Sequence, residues 1–287
     1  MALRMLSAFA GRWFVVKVGG ELAIDRTKLA NSVGRAIHQF LSVGIKVAVV
    51  HGAGPQATAL SERLGLRPRI VAGRRITDEA TLEVMKMTLA GQVSVDIASA
   101  FRVAGVTAIA TTGVSAGLID ATKRPATVIA SAGPDPIDFG WVGDVCRVNT
   151  DLLEKLAAAG VVMLIASLAG DANGTVFNIN ADTVATRVAA QLDAARLFLV
   201  SNVPGVLRDK TDPRTRISRL TPSEARAQIA AGVIQGGMVP KVEESLAMLD
   251  QRIGAIHIVG LDPPEGLLQE AALPGSFGTV FERDPRP

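Results

Sequence analysis

Apolar residues in this chain fall into short unbroken runs separated by longer amphipathic stretches, and that rhythm sets the expected elements. The run "WFVVKVGG" reads as a first strand, followed by a helical stretch from Asp25 to Val43 and the strand "IKVAVVHGAG". Helical periodicity covers Gln56 to Leu64 and then Asp78 to Val103, which opens on Thr77-Asp78-Glu79 as a capped helix does. Strands are expected at "TAIATTG" and "PATVIAS", a helix from Asn149 to Ala159, and a buried strand at "VVMLIASLA". The strand "GTVFNIN", a helix from Asp182 to Leu192 and the strand "RLFLVSNVPGVL" come next. Helices from Pro222 to Ala231 and Lys241 to Arg252 lead to a last strand, "AIHIVG".

Runs such as "VAVV", "VVMLI" and "LFLV" show no alternation, the pattern of parallel strands covered on both faces. The predicted class is therefore α/β, an open three-layer αβα sandwich with a mainly parallel sheet. The rhythm restarts around 180 to 193, which divides the chain into an N-terminal lobe, 1–185, and a C-terminal lobe, 186–287. "RDKTDPRTR", Arg208 to Arg216, reads as an exposed loop.

Composition narrows the function classes. Hydrophobic residues make up 48% of the chain and charged ones 20%, a globular balance that argues against disorder. The net charge of +3 is spread without a Lys/Arg run, which suits small anions and excludes a nucleic-acid face. The lone Cys146 rules out a disulfide framework and fits a reducing, cytoplasmic setting. His38, His51 and His257 lack metal-ligand spacing, so no protein-built metal site is expected. "MALRMLSAFAGRW" loosely mimics a secretory signal, but its apolar stretch between Arg4 and Arg12 is too short, and a short amphipathic helix or loose arm is expected instead. Charge-free runs such as Leu156–Gly170 fall short of the ~20 residues of a membrane span.

The chemistry concentrates where strands end. Lys17 interrupts an apolar strand just before Gly19 and Gly20, placing an ammonium beside bare backbone amides. A snorkelling lysine on an edge strand is the plain alternative. The second strand ends in Gly52-Ala53-Gly54, a turn whose amides and following helix N-terminus favour an anion. Its loose match to a dinucleotide fingerprint carries little weight, because Pro55 removes an amide. No Walker A sequence exists, since Lys210-Thr211 lacks the preceding glycine. "GRRITDE" offers Arg74 and Arg75, and arginine can grip a carboxylate at two points. "NINAD" sets Asn178, Asn180 and Asp182 at a helix start, more than capping requires. "GGMVPK" repeats the theme with Gly236, Gly237 and then Lys241 at a helix head. Cations and bare amides without a nucleophile–histidine set point to phosphoryl transfer, whose catalysis is mostly positioning and charge stabilisation.

In this order and spacing, "KVGG", "VVHGAGPQ", "RRITDEATLEVMKMTLAGQV", "NINAD", "SNVPGVL" and "GGMVPKVE" resemble the N-acetylglutamate kinase branch of the amino-acid kinase family, from about Phe14 to Phe281. The resemblance implies phosphoryl transfer from ATP, with Mg²⁺ held mainly through ATP phosphates, to the γ-carboxylate of N-acetyl-L-glutamate, on the route to arginine. It assigns Lys17 and Lys241 to the phosphoryl group in flight and Asp182 to holding both lysines. Gly19, Gly20, Gly52, Ala53 and Gly54 would face the phosphate. Arg75, Asn178 and Asn180 would hold the acyl amino acid. Ser201, Asn202, Val203, Gly205, Gly237 and Met238 would lie along the nucleotide. A carboxylate acceptor needs no general base, in keeping with the absent catalytic histidine.

Three departures accompany the resemblance. Ala53 stands where the family usually has glycine, which would matter if that residue needed a positive φ. "TTGVSAGLI", Thr111 to Ile119, lacks the family's acidic loop residue. "SNVPG" is similar to a sister kinase that acts on carrier-bound aminoadipate, and Arg67, Arg69, Arg74 and Arg75 would suit an acidic carrier. A sister kinase for another acylated acidic amino acid and a non-catalytic amino-acid sensor are therefore the alternatives. "NINAD" and "RRITDE" favour the acetylglutamate branch, and the intact Lys17, Asp182 and Lys241 argue against the sensor. A homodimer through the Asp78–Val103 helix is expected, with a hexamer as the alternative assembly; no nucleic-acid or membrane partner is expected.

Overall fold

The computed structural model describes residues 1–129, 132–209, 211–235, 238–249 and 252–284, the side chains of Pro240, Lys241, Glu244 and Met248 excepted. Strands β1 (Trp13–Val18) and β2 (Lys46–His51) come first, followed by a hairpin of β3 (Ile70–Val71) and β4 (Arg74–Arg75). Next are β5 (Ala108–Thr112), β6 (Ile119–Lys123), β7 (Gly143–Val148), β8 (Val162–Ala166), β9 (Leu168–Gly170) and β10 (Val176–Asn178). The last are β11 (Arg196–Ser201), β12 (Arg219–Leu220), β13 (Ile256–Gly260) and β14 (Gly278–Phe281).

Among the described residues eight strands form one sheet in the order β12-β14-β13-β11-β1-β2-β8-β5. Every pairing in it is parallel except β13 with β14. A smaller sheet, β10-β9-β6-β7, lies to one side.

The helices are α1 (Ala2–Leu6), α2 (Arg26–Leu29), α3 (Arg35–Ser42), α4 (Gly54–Arg63), α5 (Glu79–Lys86) and α6 (Ser94–Val103), then α7 (Thr150–Ala158) and α8 (Ala181–Gln191). α9 (Pro222–Ala230), α10 (Met238–Leu249) and α11 (Gly266–Ala272) complete the set. The expected helix over 78–103 is realised as α5, a π-helical stretch Met87–Val93 and α6. Its start is fixed as the sequence suggests, with the Asp78 carboxylate accepting from the Thr81 N–H at 2.8 Å.

Alternate residues of the central strands enter different cores, which makes the three layers. Phe14, Val16 and Val18 pack with Ile37, Phe40 and Phe101 on one face. Trp13 and Val15 pack with Leu153, Val184 and Val188 on the other, together with Ile119 and Phe177 of the small sheet. Full burial of each such side chain is worth about 1.5–3 kcal/mol. The period of two has a consequence for Lys17: it shares the face of Trp13 and Val15, the one covered by α8.

One expectation fails here. Residues 125–129 of the segment "PATVIAS" form no strand, and its last two lie outside the described residues. Thr127 makes only an isolated bridge to Ile137, and Val128 is 54% exposed. The strand lies one step earlier, at β6, paired antiparallel with β7, which the apolar pattern did not show. Both strands carry charges on an open face (Asp120, Lys123, Asp144, Arg147), so neither forms an apolar run. The N-terminal segment does form a short helix, and its Leu6 is fully buried in the same core as Leu267 and Ala271 of α11. Leu3 and Met5 remain exposed.

Candidate active site

β1 has β2 on one side and β11 on the other, and the two connections leave to opposite faces. Such a switch in strand order opens a crevice outside the carboxyl ends of the strands. A cleft of about 670 Å³ lies there, and Lys17, Gly20, Gly52, Arg75, Asn178 and Asp182 all line it. Residues from β1, β2, β4, β10 and α8, far apart in sequence, are thereby brought together.

Lys17, on the α8 face of β1, reaches the N-terminal turn of α8, where its Nζ lies 3.0 Å from Asp182 Oδ1. The side chains are 13% and 21% exposed, so the pair is shielded yet open to the cleft. Asn180 caps α8, its Oδ1 accepting from the Asp182 N–H at 2.7 Å. Capping therefore accounts for Asn180 and leaves Asp182 free for the lysine. Asn178 Nδ2 donates to Thr77 Oγ1 at 3.1 Å, joining the small sheet to the start of α5.

Arg75 comes from the β3–β4 hairpin. Its Nη2 donates to Gly54 O at 3.2 Å and Thr58 Oγ1 at 2.7 Å. Burial lowers the guanidinium pKa from its ordinary value, and Nη1 is buried without a hydrogen-bond partner. A buried donor left unmet costs about 1–3 kcal/mol, which an anionic oxygen in the cleft would relieve.

The glycine loops differ in what they require. Ala53 sits at φ −145°, ψ 33°, so the alanine is unstrained and the concern about a positive φ does not arise. A Cβ on Gly20 would stand 2.8 Å from Ala53 Cα, which means that the two loops touch. Gly19 leaves room for the Glu21 carboxylate, which folds against it, whereas Gly54 faces open space. α4 starts at Gly54 without a side-chain cap, so its first amides are available beside the cleft.

Behind the second loop, His51 ends β2 fully buried, with Nε2 3.0 Å from Ser94 Oγ. Burial lowers its pKa to about 4, only partly opposed by the Gly52 carbonyl. The folded protein thus keeps a neutral imidazole, and the unfolded chain protonates near 6.5. Stability from this group is complete above pH 6.5 and falls through the window down to about 4, on the order of 3 kcal/mol in all. Denaturant unfolding at pH 7 and 4.5 should show a smaller acid loss in His51→Gln than in the unsubstituted chain. Equal losses would mean that other groups govern the acid limb.

Several residues of the cleft escaped the sequence reading. Arg124 lines it with Nε 2.9 Å from Asp144 Oδ1, and Thr58, Ser167, Phe139 and Val142 also face it. Arg124 and Asp144 lie at the missed β6 and β7, so no strand register was available to place them.

Among the described residues, the expected nucleotide residues Ser201, Asn202, Val203, Gly205 and Met238 do not line this cleft. Ser201 ends β11 opposite Gly260 of β13, and Asn202 and Val203 follow in a bend. Gly205 is buried at φ 147° against Thr279, whose Oγ1 accepts from the Val206 N–H at 2.8 Å. Met238 begins α10, whose Val242 and Leu246 join the core beneath α8. Lys241 lies in the first turn of α10, its side chain outside the described residues, and Gly236 and Gly237 also lie outside them. Among the described residues no three His, Cys, Asp or Glu side chains cluster as a metal site, and no helix is long and apolar enough to cross a membrane.

The profile of the amino acid kinase family matches residues 12–260. The chain is 49% identical over 273 residues to an acetylglutamate kinase from Sorangium cellulosum, covering 93% of each protein. Among solved structures, N-acetylglutamate synthase from Neisseria gonorrhoeae superposes with a TM-score of 0.80 at 22% identity, over 99% of this chain and 62% of the synthase. Giardia carbamate kinase superposes with a TM-score of 0.65 at 14% identity, over 95% of this chain and 99% of that one. At those identities the two structures bear on the fold alone.

Proposed function

The chain belongs to the amino acid kinase family, and on that premise we propose that it transfers the γ-phosphoryl group of ATP to the γ-carboxylate of N-acetyl-L-glutamate, a step of arginine biosynthesis. The observation that carries this reading is the unmet Arg75 Nη1 in the same cleft as the Lys17–Asp182 pair. A substrate with two carboxylates needs one cation to hold the first and another beside the one that reacts. Arg75, with Asn178, takes the α-carboxylate and directs the side chain toward Lys17.

Lys17 then neutralises charge on the phosphoryl group as it leaves ATP, and Asp182 keeps the ammonium in place. α10, which carries Lys241 in its first turn, packs on the same face of the sheet through Val242 and Leu246, and Lys241 is assigned with Lys17 to the phosphoryl group in flight. The loops at Gly19–Gly20 and Gly52–Gly54 offer amides to the phosphate oxygens, and Ser201 to Val203, at the end of β11, lie along the nucleotide. Mg²⁺ bound to ATP would add charge neutralisation; of the carboxylates lining the cleft, Asp182 is paired with Lys17 and Asp144 with Arg124, which fits a cation carried in on phosphates.

The test is ATP-dependent acyl-phosphate formation trapped with hydroxylamine, comparing N-acetyl-L-glutamate, N-acetyl-L-aminoadipate and free glutamate. The expected result is a clear preference for N-acetyl-L-glutamate. Arg75→Lys should raise its KM about tenfold or more, because one ammonium cannot serve Gly54, Thr58 and a carboxylate together. Turnover with none of the three acceptors would overturn the reading.

We assign a homodimer to the helical face where Met87, Val95 and Val103 are 50%, 64% and 80% exposed. Sedimentation at several arginine concentrations checks it, and a strict monomer would refute it.

A further inference from the structure

Gln56 is absent from the cleft lining, yet it joins the two glycine loops that face the cleft. It is the third residue of α4, directly after the Gly52–Gly54 turn, and its Nε2 donates to the Gly20 carbonyl at 2.6 Å. The reverse placement of the amide would set two oxygens against each other. Contact between the loops is close on every side of this bond. A Cβ on Gly20 would stand 2.7 Å from Gln56 Oε1, 2.8 Å from Ala53 Cα and 3.0 Å from Gly52 O.

The side chain is a poor stabiliser on its own account. Its Oε1 is buried with no hydrogen-bond partner, which offsets much of what the Nε2 bond contributes. What the bond does fix is direction. A trans peptide sets its C=O and N–H in opposite senses, so turning the Gly20 carbonyl to Gln56 turns the Glu21 N–H the other way. Gly20 and Glu21 both line the cleft, and Lys17 is three residues before Gly20 on the same strand-and-loop unit.

We propose that Gln56 is a positioning residue for phosphoryl transfer. Through the Gly20 carbonyl it aims the Gly20–Glu21 amide at the transferring group and sets the spacing between the Lys17 loop and the 52–54 loop. It touches neither substrate. The proposal rests on the reading of this cleft as a phosphoryl-transfer site, but not on which acid accepts the phosphoryl group.

The experiment therefore includes a measurement that needs no acceptor turnover. Gln56→Glu keeps the shape and removes the donor, and Gln56→Met keeps the length and removes both polar atoms. The affinities of Mg-ADP and of Mg-ADP with aluminium fluoride, a mimic of the phosphoryl group in flight, are measured by calorimetry for each. Both variants should bind Mg-ADP within about twofold of the unsubstituted chain and lose roughly ten- to hundredfold in the tightening that aluminium fluoride brings. kcat with N-acetyl-L-glutamate should fall by a similar factor, while the KM for that acid, held by Arg75, moves less than about twofold. Thermal midpoints should stay close, since Gln56→Met also removes the orphaned oxygen. An unchanged aluminium fluoride effect in Gln56→Met overturns the proposal. So does a parallel fall of KM, nucleotide affinity and thermal midpoint, which would mark general distortion. An unsubstituted chain that binds the mimic tightly but ignores N-acetyl-L-glutamate would count against the substrate reading and leave the Gln56 comparison intact.

Discussion

Lys17→Met is expected to lower kcat by about a thousandfold while the protein stays folded. Removing one preorganised donor from developing charge typically costs ~2.7–4 kcal/mol of transition-state stabilisation. Here the loss is compounded, because Asp182 remains as a carboxylate without its ammonium partner 3.0 Å away and repels incoming phosphate. Stability should move by about 1 kcal/mol at most, since the pair is not fully buried and methionine preserves the apolar stem that packs along β1.

Two companion variants separate the effects. Asp182→Asn should cost less, roughly ten- to hundredfold, because the lysine survives with looser placement. The double variant should be less impaired than the product of the single losses, since the residues act as one unit. Steady-state rates at saturating ATP decide the matter. A Lys17→Met enzyme that keeps more than a tenth of its kcat would remove this ammonium from the reacting phosphoryl group.

Lys17 also shows what the sequence could and could not convey. An apolar run broken by one lysine before two glycines located β1, whereas the face on which the ammonium lies became clear only from the packing of α8. That capping explains only one of Asn178, Asn180 and Asp182 was readable as well; that Asn180 is the cap, leaving Asp182 to the lysine, the structure shows. That the two meet depends on β1 and α8, some 165 positions apart, packing across the sheet. Spacing along the chain carries no such information; only the resemblance of the whole motif set to the family did.

Arg124 and Asp144 were lost for a different reason. Their strands form a half-covered antiparallel pair with charges outward, so the apolar signal that revealed the central strands was missing there. The glycines were read as bare backbone for phosphate, which fits Gly54. Gly20 is glycine also because Ala53 and Gln56 press against it, and a sequence does not show what lies across a loop. Ala53 departs from the family's glycine without strain, because its φ is negative, and a sequence does not show φ.

The largest effect on stability is expected at the opposite end of the strands, from Glu270→Gln. Glu270 and His257 are both fully buried, and the carboxylate Oε1 lies 2.7 Å from His257 Nδ1. Oε1 also accepts from the Gly275 amide at 2.8 Å, and Oε2 from the amides of Phe277 at 3.0 Å and Gly278 at 2.8 Å, which pins the turn into β14. Burial alone would raise its pKa, but His257 and these amides hold it below the ordinary carboxylate range. Arg196, itself buried at the head of β11, lies 3.5 Å from His257 Nε2 and stacks 4.7 Å over the Phe9 ring. The carboxylate is thus the counter-charge of a buried arginine and the acceptor for three amides at once.

Glutamine removes the charge and turns a donor toward groups that are already donors. Breaking a buried pair in this way costs ~3–5 kcal/mol, and a fall in thermal midpoint of roughly 10 °C should follow. Because the folded carboxyl titrates below its unfolded value, the stabilisation is present above about pH 4.5 and is lost as pH falls through the folded pKa. The difference between Glu270→Gln and the unsubstituted chain should therefore shrink in acid. At temperatures where the variant remains folded kcat should hardly change, since β1 and β11 present Arg196 and Phe14 at their amino ends and the cleft at their carboxyl ends. A loss below 1 kcal/mol would mean that the turn is held by β14 itself and that Arg196 finds its compensation elsewhere. A loss of kcat without a loss of stability would instead tie this buried cluster to the cleft through the length of β1 and β11.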